Sequence, residues 1–337
     1  MTVVDSRPHK PTLLDVLAGR APLVGARFAS EFAEGWVSPA DARLALGLAY
    51  DDAASVERDF LTDERSLSRD LSLVARTVVA NALAPDRERA TDARPFIVSA
   101  RVDNCTIDEA IERICAPPRP ERARMVHFVH PHALNIASRD ERLRAWLEAA
   151  DLVLPDGVGL QIAARMLGTP LRHNVNGTDL LPLLCAQLAS RQIPLSLIGA
   201  APGVASDCAA QLAANTAGLI IGAVEHGFAD ERARENFLSK LGAIGGVVLV
   251  GMGTPIQERW AWEHLASITG ITVLTVGGLF DFYSGRIPRA PMALREVGLE
   301  WTWRLWQEPT RLARRYLVGN PLFLSRALGQ RLRESAR

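Results

Sequence analysis

From about residue 95 to about residue 285 this 337-residue chain alternates short apolar runs with amphipathic stretches, and that pattern narrows the possible folds more than any other feature. The apolar runs are "FIVSARV", "MVHFVH", "DLVL", "PLSLIG", "LIIGAVE", "GVVLVGMG" and "TVLTVGG". Between them stand "TIDEAIERICA", "LNIASRDERLRAWLEAA", "GTDLLPLLCAQLASR", "GVASDCAAQLAAN" and "PIQERWAWEHLAS", whose apolar residues recur at helical spacing. A strand that is apolar on both faces must be covered on both, and an intervening helix lets consecutive strands run parallel. The expectation is an α/β fold, a mostly parallel sheet with helices on each side.

The flanks read differently. Residues 1–94 hold helical stretches, such as "SPADARLALGLAY" with Ser38 as a cap and "RSLSRDLSLVARTVVANALA", and end in the linker-like "APDRERATDARP". From Arg286 onward there are eleven arginines against four glutamates, interleaved with Trp301, Trp303, Trp306, Tyr316 and Phe323. Two readings of that tail stand side by side: a helix lying on an anionic membrane surface, or a helix that packs its aromatics on the body. The expected organisation is a helical N-terminal extension (1–94), a core (95–285) and a basic aromatic appendage (286–337) that a folded body can lose.

In an open parallel sheet the ligand lies beyond the carboxyl ends of the strands, so the loops there are the candidate site. After "MVHFV" come His130 and His132, and after "DLVLP" comes Asp156, followed by Gly157 and Gly159. On local pattern Asp156 is either the N-cap of the next helix or a catalytic base displayed at a strand end. "GAAPGVA", "GMGTPIQERW" and "GGLFDFYSGRIPRAP" follow the next strands, two of them opening helices through glycine. Such loops offer backbone N–H groups to phosphate and suggest a bound diphosphate.

Other chemistries find little purchase. "GMGTPI" and "GVGLQI" lack the third glycine of a dinucleotide fingerprint, and the only lysines, Lys10 and Lys240, supply no P-loop. Cys105, Cys115, Cys185 and Cys208 form no C-x-x-C pair and read as reduced thiols. No metal-ligand spacing, Asp-x-Asp or serine nucleophile elbow occurs. A net charge of zero gives no global attraction to nucleic acid. The start of the chain lacks the apolar core of a signal peptide, and no apolar run reaches the roughly 20 residues of a membrane span.

The ordered motifs "HPHALNIASRD", "ADLVLPDGVGLQIAARMLG", "NVNGTDLLP", "LIGAAPGVA", "VEHGF", "GMGTPIQERW", "GGLFDFYSGRIPRAP" and "GLEWTWRLWQEPTRLARRYLVGNPLF" resemble the WecG/TagA/CpsF family of glycosyltransferases over roughly residues 96–325. The resemblance implies a Rossmann-like body and an inverting, metal-independent transfer of a sugar, often of N-acetylmannosamine type, with no cofactor. The donor would be a UDP-sugar and the acceptor a polyprenyl-diphosphate-linked saccharide of cell-surface polysaccharide assembly. The place would be the cytoplasmic face of the inner membrane, held peripherally through the tail, and the family suggests a homo-oligomer.

Carried over by position, Asp156 matches the proposed general base, and Gln257 with the N–H groups of Gly251 to Thr254 would meet the leaving group. Asn135, Gly157, Gly177, Thr178, Asp179, Gly199, Gly253, Pro255 and Glu258 would shape the substrate site, with Thr178 and Asp179 ordering its floor. Arg289, Arg304, Arg311, Arg314 and Arg315 match appendage arginines that would clamp the lipid diphosphate. Two departures stand out: Asn174 replaces a common family arginine, with Arg172 as a possible substitute two residues upstream, and His130 and His132 stand where relatives carry Thr or Asn. His132 would bind the sugar or act as base, or the pair would be only a turn. Outside the match, "ERDFLTDERSLSRDLSLVARTVVANAL" faintly resembles the end of polyprenyl-phosphate sugar-phosphate transferases. A catalytically silent UDP-sugar sensor or scaffold, and a nicotinamide oxidoreductase on the same sheet, are the competing classes.

Overall fold

The apolar runs become strands buried on both faces, as a computed structural model describing residues 11–46, 53–63, 66–84 and 90–336 shows. The core strands are β3 (Arg124–Val129), β4 (Leu152–Pro155), β5 (Leu195–Gly199), β6 (Ile221–Glu225), β7 (Gly246–Gly251) and β8 (Ile271–Thr275), preceded by a small hairpin of β1 (Phe96–Ile97) and β2 (Ala100–Arg101). "FIVSARV" is thus not one strand: the chain reverses at Val98, which takes a positive φ of 61°. The six core strands form one parallel sheet in the order β4-β3-β8-β7-β5-β6.

Alternation along each strand splits the interior into two cores. Met125, Val129, Val153, Val248, Val250 and Val273 face one side, while Val126, Phe128, Leu154, Leu197, Leu249 and Leu274 face the other. The second face is covered by the helices Ile107–Cys115, Gly177–Ser190, Val204–Asn215 and Leu279–Tyr283. Over the first lie Pro131–Ala137, Glu141–Ala149, Val158–Leu167, Glu231–Ile244, Ile256–His264 and the final helix Gly319–Ser335. "LNIASRDERLRAWLEAA" is two helices, because Asp140 accepts the Arg142 and Leu143 N–H groups and starts a new one. His127 is fully buried on β3, where Trp262 Nε1 donates to its Nε2 at 3.2 Å. Its Nδ1 therefore carries the proton and donates to Thr275 Oγ1 at 2.9 Å.

By its contacts the chain falls into two units, Met1–Pro85 with Pro291–Trp303, and Asp86–Ala290 with Arg304–Arg337. This division differs from the three consecutive segments read from sequence. The first unit has its own small core of Val24, Ala26, Ala29, Val37, Leu61 and Leu73. Buried Glu57 accepts the backbone N–H groups of Arg27, Phe28 and Ala29 and the hydroxyl of Ser38. Glu296 is held by Arg43 at 3.0 Å and Arg76 at 2.5 Å. Residues 85–89 of the expected linker lie outside the described residues, as do the last four residues of "SPADARLALGLAY".

In the second unit the tail is built into the core. Phe323 and Ala327 of the final helix are fully buried in the same cluster as Leu134 and Leu160. Gln330 accepts the Val98 N–H at 2.8 Å and donates to Phe96 O at 3.0 Å. A body that keeps its fold without this segment is therefore not what the packing supports. Trp306, Leu317, Val318 and Leu332 do remain exposed, so part of the tail's apolar surface faces outward.

Candidate active site

The chain runs outward from β3 to β4, crosses to β5 and β6, and returns inward through β7 and β8. The carboxyl ends of β3, β8, β7 and β5 therefore meet where the strand order reverses, the place where open sheets bind ligands. A cavity of about 1110 Å³ opens there, large enough for a nucleotide-sized ligand with room beside it. Its wall draws on loops after all six strands and on the segment from Arg304 to Arg326.

Asp156 stands in that wall, directly after β4, with its N–H held by Val129 O at 2.8 Å. The N-cap residue of the next helix, Val158–Leu167, is Gly157 and not Asp156. Gly157 has φ of 99°, which a side chain would strain, and its N–H is anchored by Asn174 Oδ1 at 2.7 Å. Asn174 thus shapes the turn that presents Asp156. Neither Asn174 nor Gly157 belongs to the cavity wall, and Arg172 is bound bidentately to Glu109 instead of replacing the family arginine.

His130 and His132 both line the cavity, their rings stacked 6.0 Å apart. His130 caps the helix Pro131–Ala137, its Nδ1 accepting the Ala133 N–H at 3.0 Å. Burial pushes the His130 ring pKa well down, helped by the charge of Arg315, and the same two causes lower that of His132. Both rings are consequently neutral at neutral pH.

Gln257 is buried, and its amide is engaged at both ends. Oε1 accepts the Gly277 N–H at 2.8 Å and the Gly253 N–H at 3.2 Å, while Nε2 donates to Glu258 Oε1 at 2.8 Å. It therefore ties the loop after β7 to the loop after β8, a positioning duty that sequence could not show. Glu258 lies behind the wall, accepting the Thr254 hydroxyl at 2.9 Å, and burial raises its carboxyl pKa. Gly251, Gly253 and Thr254 line the cavity, but Pro255 does not. Gly199 is needed for backbone approach: a Cβ there would fall 2.2 Å from Gly251 O. On the opposite side Gly177 and Thr178 line the wall, and Thr178 O accepts the Tyr283 hydroxyl at 2.7 Å.

The expected arginines divide. Arg304, Arg311, Arg314 and Arg315 line the cavity, with Arg304 over the Phe282 ring and Arg311 paired with Glu308 at 2.5 Å. Arg289 is not in the wall; it pairs with Asp179, which is 1% exposed and also takes the Asn176 amide at 2.6 Å. Asp179 and Arg289 thus brace the start of the helix Gly177–Ser190. Arg314 and Arg315 sit on a π-helical turn, Arg314–Val318. Arg315 is close enough to Asp156 to feel its charge, although burial lowers the guanidinium pKa overall.

The family model for the glycosyl transferase WecG/TagA/CpsF family matches residues 96–337. The chain belongs to this glycosyltransferase family. One curated relative is the N-acetylglucosaminyldiphosphoundecaprenol N-acetyl-beta-D-mannosaminyltransferase of Bacillus spizizenii, 28% identical over 178 residues that cover 53% of this chain and 69% of that protein. The wall of this glycosyltransferase also holds residues outside the set expected from sequence. Asp281, its pKa raised by burial against the pull of Arg311, and Phe228 lie inside motifs whose other members drew attention. Arg139 lies in the first motif and Arg326 among the eleven tail arginines, but nothing in the sequence brings the two together. Among the described residues no cluster of three or more His, Cys, Asp or Glu stands ready to hold a metal, and no helix is long and apolar enough to cross a membrane.

Proposed function

We propose that this enzyme moves a sugar of N-acetylmannosamine type from a UDP-sugar to a polyprenyl-diphosphate-linked N-acetylglucosamine, with inversion and without a metal ion. The relative's name supplies the acceptor and sugar class. The observation that carries the chemistry is Asp156: a carboxylate in the wall of the strand-end cavity, placed directly after β4 and near enough to Arg315 to act on its charge.

Three carboxylates line this cavity, Asp140, Asp156 and Asp281. Asp140 is committed to its helix cap, and Asp281 lies among Arg304, Arg311 and Glu308. Asp156 is the one beside the histidines' loop. In the proposed step an acceptor hydroxyl oxygen attacks the anomeric carbon and its proton passes to the Asp156 carboxylate. The bond from that carbon to the UDP oxygen breaks on the opposite face, and UDP leaves with the electron pair. Backbone N–H groups of the loops after β7 and β8, with Arg304 beside the second of them, receive the developing diphosphate charge. His132, neutral, is a hydrogen-bonding partner for the sugar and not the base, because a second positive charge beside Arg315 is disfavoured.

The polyprenyl acceptor resides in a bilayer. The exposed Trp306, Leu317 and Val318 beside the arginines suit peripheral attachment at the cytoplasmic face of the inner membrane. Assay of UDP release from a panel of UDP-sugars, with and without a polyprenyl-diphosphate-GlcNAc analogue, tests the reading. Acceptor-dependent release with one N-acetylhexosamine donor supports it; tight UDP-sugar binding with no turnover on any lipid acceptor replaces it with a silent binder.

A further inference from the structure

The helix Pro131–Ala137 ends in a turn that brings Arg139 into the cavity wall, and Arg326 of the final helix reaches the same turn. Arg326 Nη1 donates to Asn135 Oδ1 at 2.6 Å and to Asn135 O at 3.1 Å. Asn135 Nδ2 in turn donates to Gly319 O at 2.7 Å, so one amide holds two points of the final helix. Both partners of Arg326 are neutral oxygens, and among the described residues no carboxylate pairs with Arg139 or Arg326. Asp140, the nearest acid in the chain, is turned to the N–H groups of the following helix. The charge of Arg139 acts unfavourably on Arg326, a repulsion that an anion between them would relieve.

Apolar side chains border this pair. Ile136 lines the cavity there, and Val318 and Leu322 are 59% and 36% exposed at its edge. Arg304 belongs to another part of the wall: its Nη2 lies 3.5 Å from the point where a Cβ on Gly278 would stand, in the loop after β8. Two uncompensated guanidiniums with an apolar lip match an anion that continues into a hydrocarbon chain, and a nucleotide has no such chain.

We propose that Arg139 and Arg326 form the subsite for the acceptor's diphosphate, with the first isoprene units lying along Val318 and Leu322. This rests on the transferase reading above and assigns its acceptor a place distinct from the Arg304 end. Asn135 is then a positioning residue that sets Arg326 toward the diphosphate.

Binding of farnesyl diphosphate, inorganic pyrophosphate and UDP to the full chain tests it, comparing wild type with Arg139→Ala, Arg139→Glu and Leu322→Ser. Arg139 is the cleaner probe because Arg326 also holds Asn135. Farnesyl diphosphate affinity is expected to fall about ten-fold in Arg139→Ala, from the loss of a charge-assisted contact, and further in Arg139→Glu. UDP affinity should stay within about two-fold, and Leu322→Ser should weaken farnesyl diphosphate but not pyrophosphate. Unchanged farnesyl diphosphate binding in a folded Arg139→Glu overturns the subsite. Equal losses for UDP, or pyrophosphate binding as tightly as farnesyl diphosphate in the wild type, overturn it too. A wild type that shows this selective binding yet transfers no sugar removes the transferase reading and leaves a diphosphate-isoprenoid site.

Discussion

Replacing Phe323 with alanine asks whether the last helix is part of the transferase body or merely laid upon it. Phe323 is 0% exposed and shares a core cluster with Leu134 and Leu160, which belong to the helices flanking β3 and β4. Deleting a buried phenyl ring costs about 3–5 kcal/mol, and removing roughly 150–250 Å² from water gives a similar figure. For a unit of this size that corresponds to a fall in melting temperature of about 10 °C. Leu332→Ala, at a position 63% exposed, is the control and should cost no more than about 0.5 kcal/mol. Because the chain has two units, amide hydrogen exchange in β3 and β8 is the better readout, since it reports the second unit alone. Faster exchange throughout those strands in Phe323→Ala is expected. Strand amides as protected as in the wild type, with loss confined to the final helix, would refute the integrated tail.

Burial lowers the His127 pKa to about 4, against 6.5 for a free ring, so the folded state prefers the neutral form. Between those values the unfolded chain binds more protons; stability is full above about pH 6.5 and declines by roughly 3 kcal/mol as pH falls toward 4. Urea midpoints of wild type and His127→Gln across that range should converge at low pH; parallel curves would contradict this. Gln257→Ala leaves the Gly253 and Gly277 N–H groups without their shared acceptor, and should weaken UDP binding at least about ten-fold by loosening both loops. Unchanged UDP affinity with a collapsed kcat would instead make Gln257 a direct partner of the leaving group. Arg289→Ala strips a cation from Asp179 and should cost about 3–5 kcal/mol in a melt. A stable variant with a raised KM for the lipid acceptor would return Arg289 to the substrate.

Strands and most helices were legible because their evidence is local: a run apolar on both faces needs cover on both, whatever its neighbours are. The breaks were less so. Ser138 to Asp140 interrupts an apolar pattern that continues in phase, and only the Asp140 cap reveals the new start. Val98 turns the first hairpin with a φ that its branched side chain disfavours, against the propensity that makes "FIVSARV" look like one strand. In the site, Asp156 was visible as a residue but ambiguous in role, since an acid before a glycine and a helix is also what a cap looks like. The turn that presents it depends on Gly157 and Asn174, whose contact spans a loop and leaves no local trace. Gln257 and Arg289 were found by motif, yet their side chains point to Gly277 and Asp179. Arg139 and Arg326 meet only because the final helix docks beside Asn135, which no spacing encodes.

The most direct measurement is sugar transfer by Asp156→Asn beside wild type, with UDP affinity determined on the same preparations. Removing a general base while leaving the cavity's shape intact predicts a loss of about 10²–10⁴-fold in kcat with UDP binding unchanged. Transfer at the wild-type rate by the asparagine variant would contradict the account at its centre.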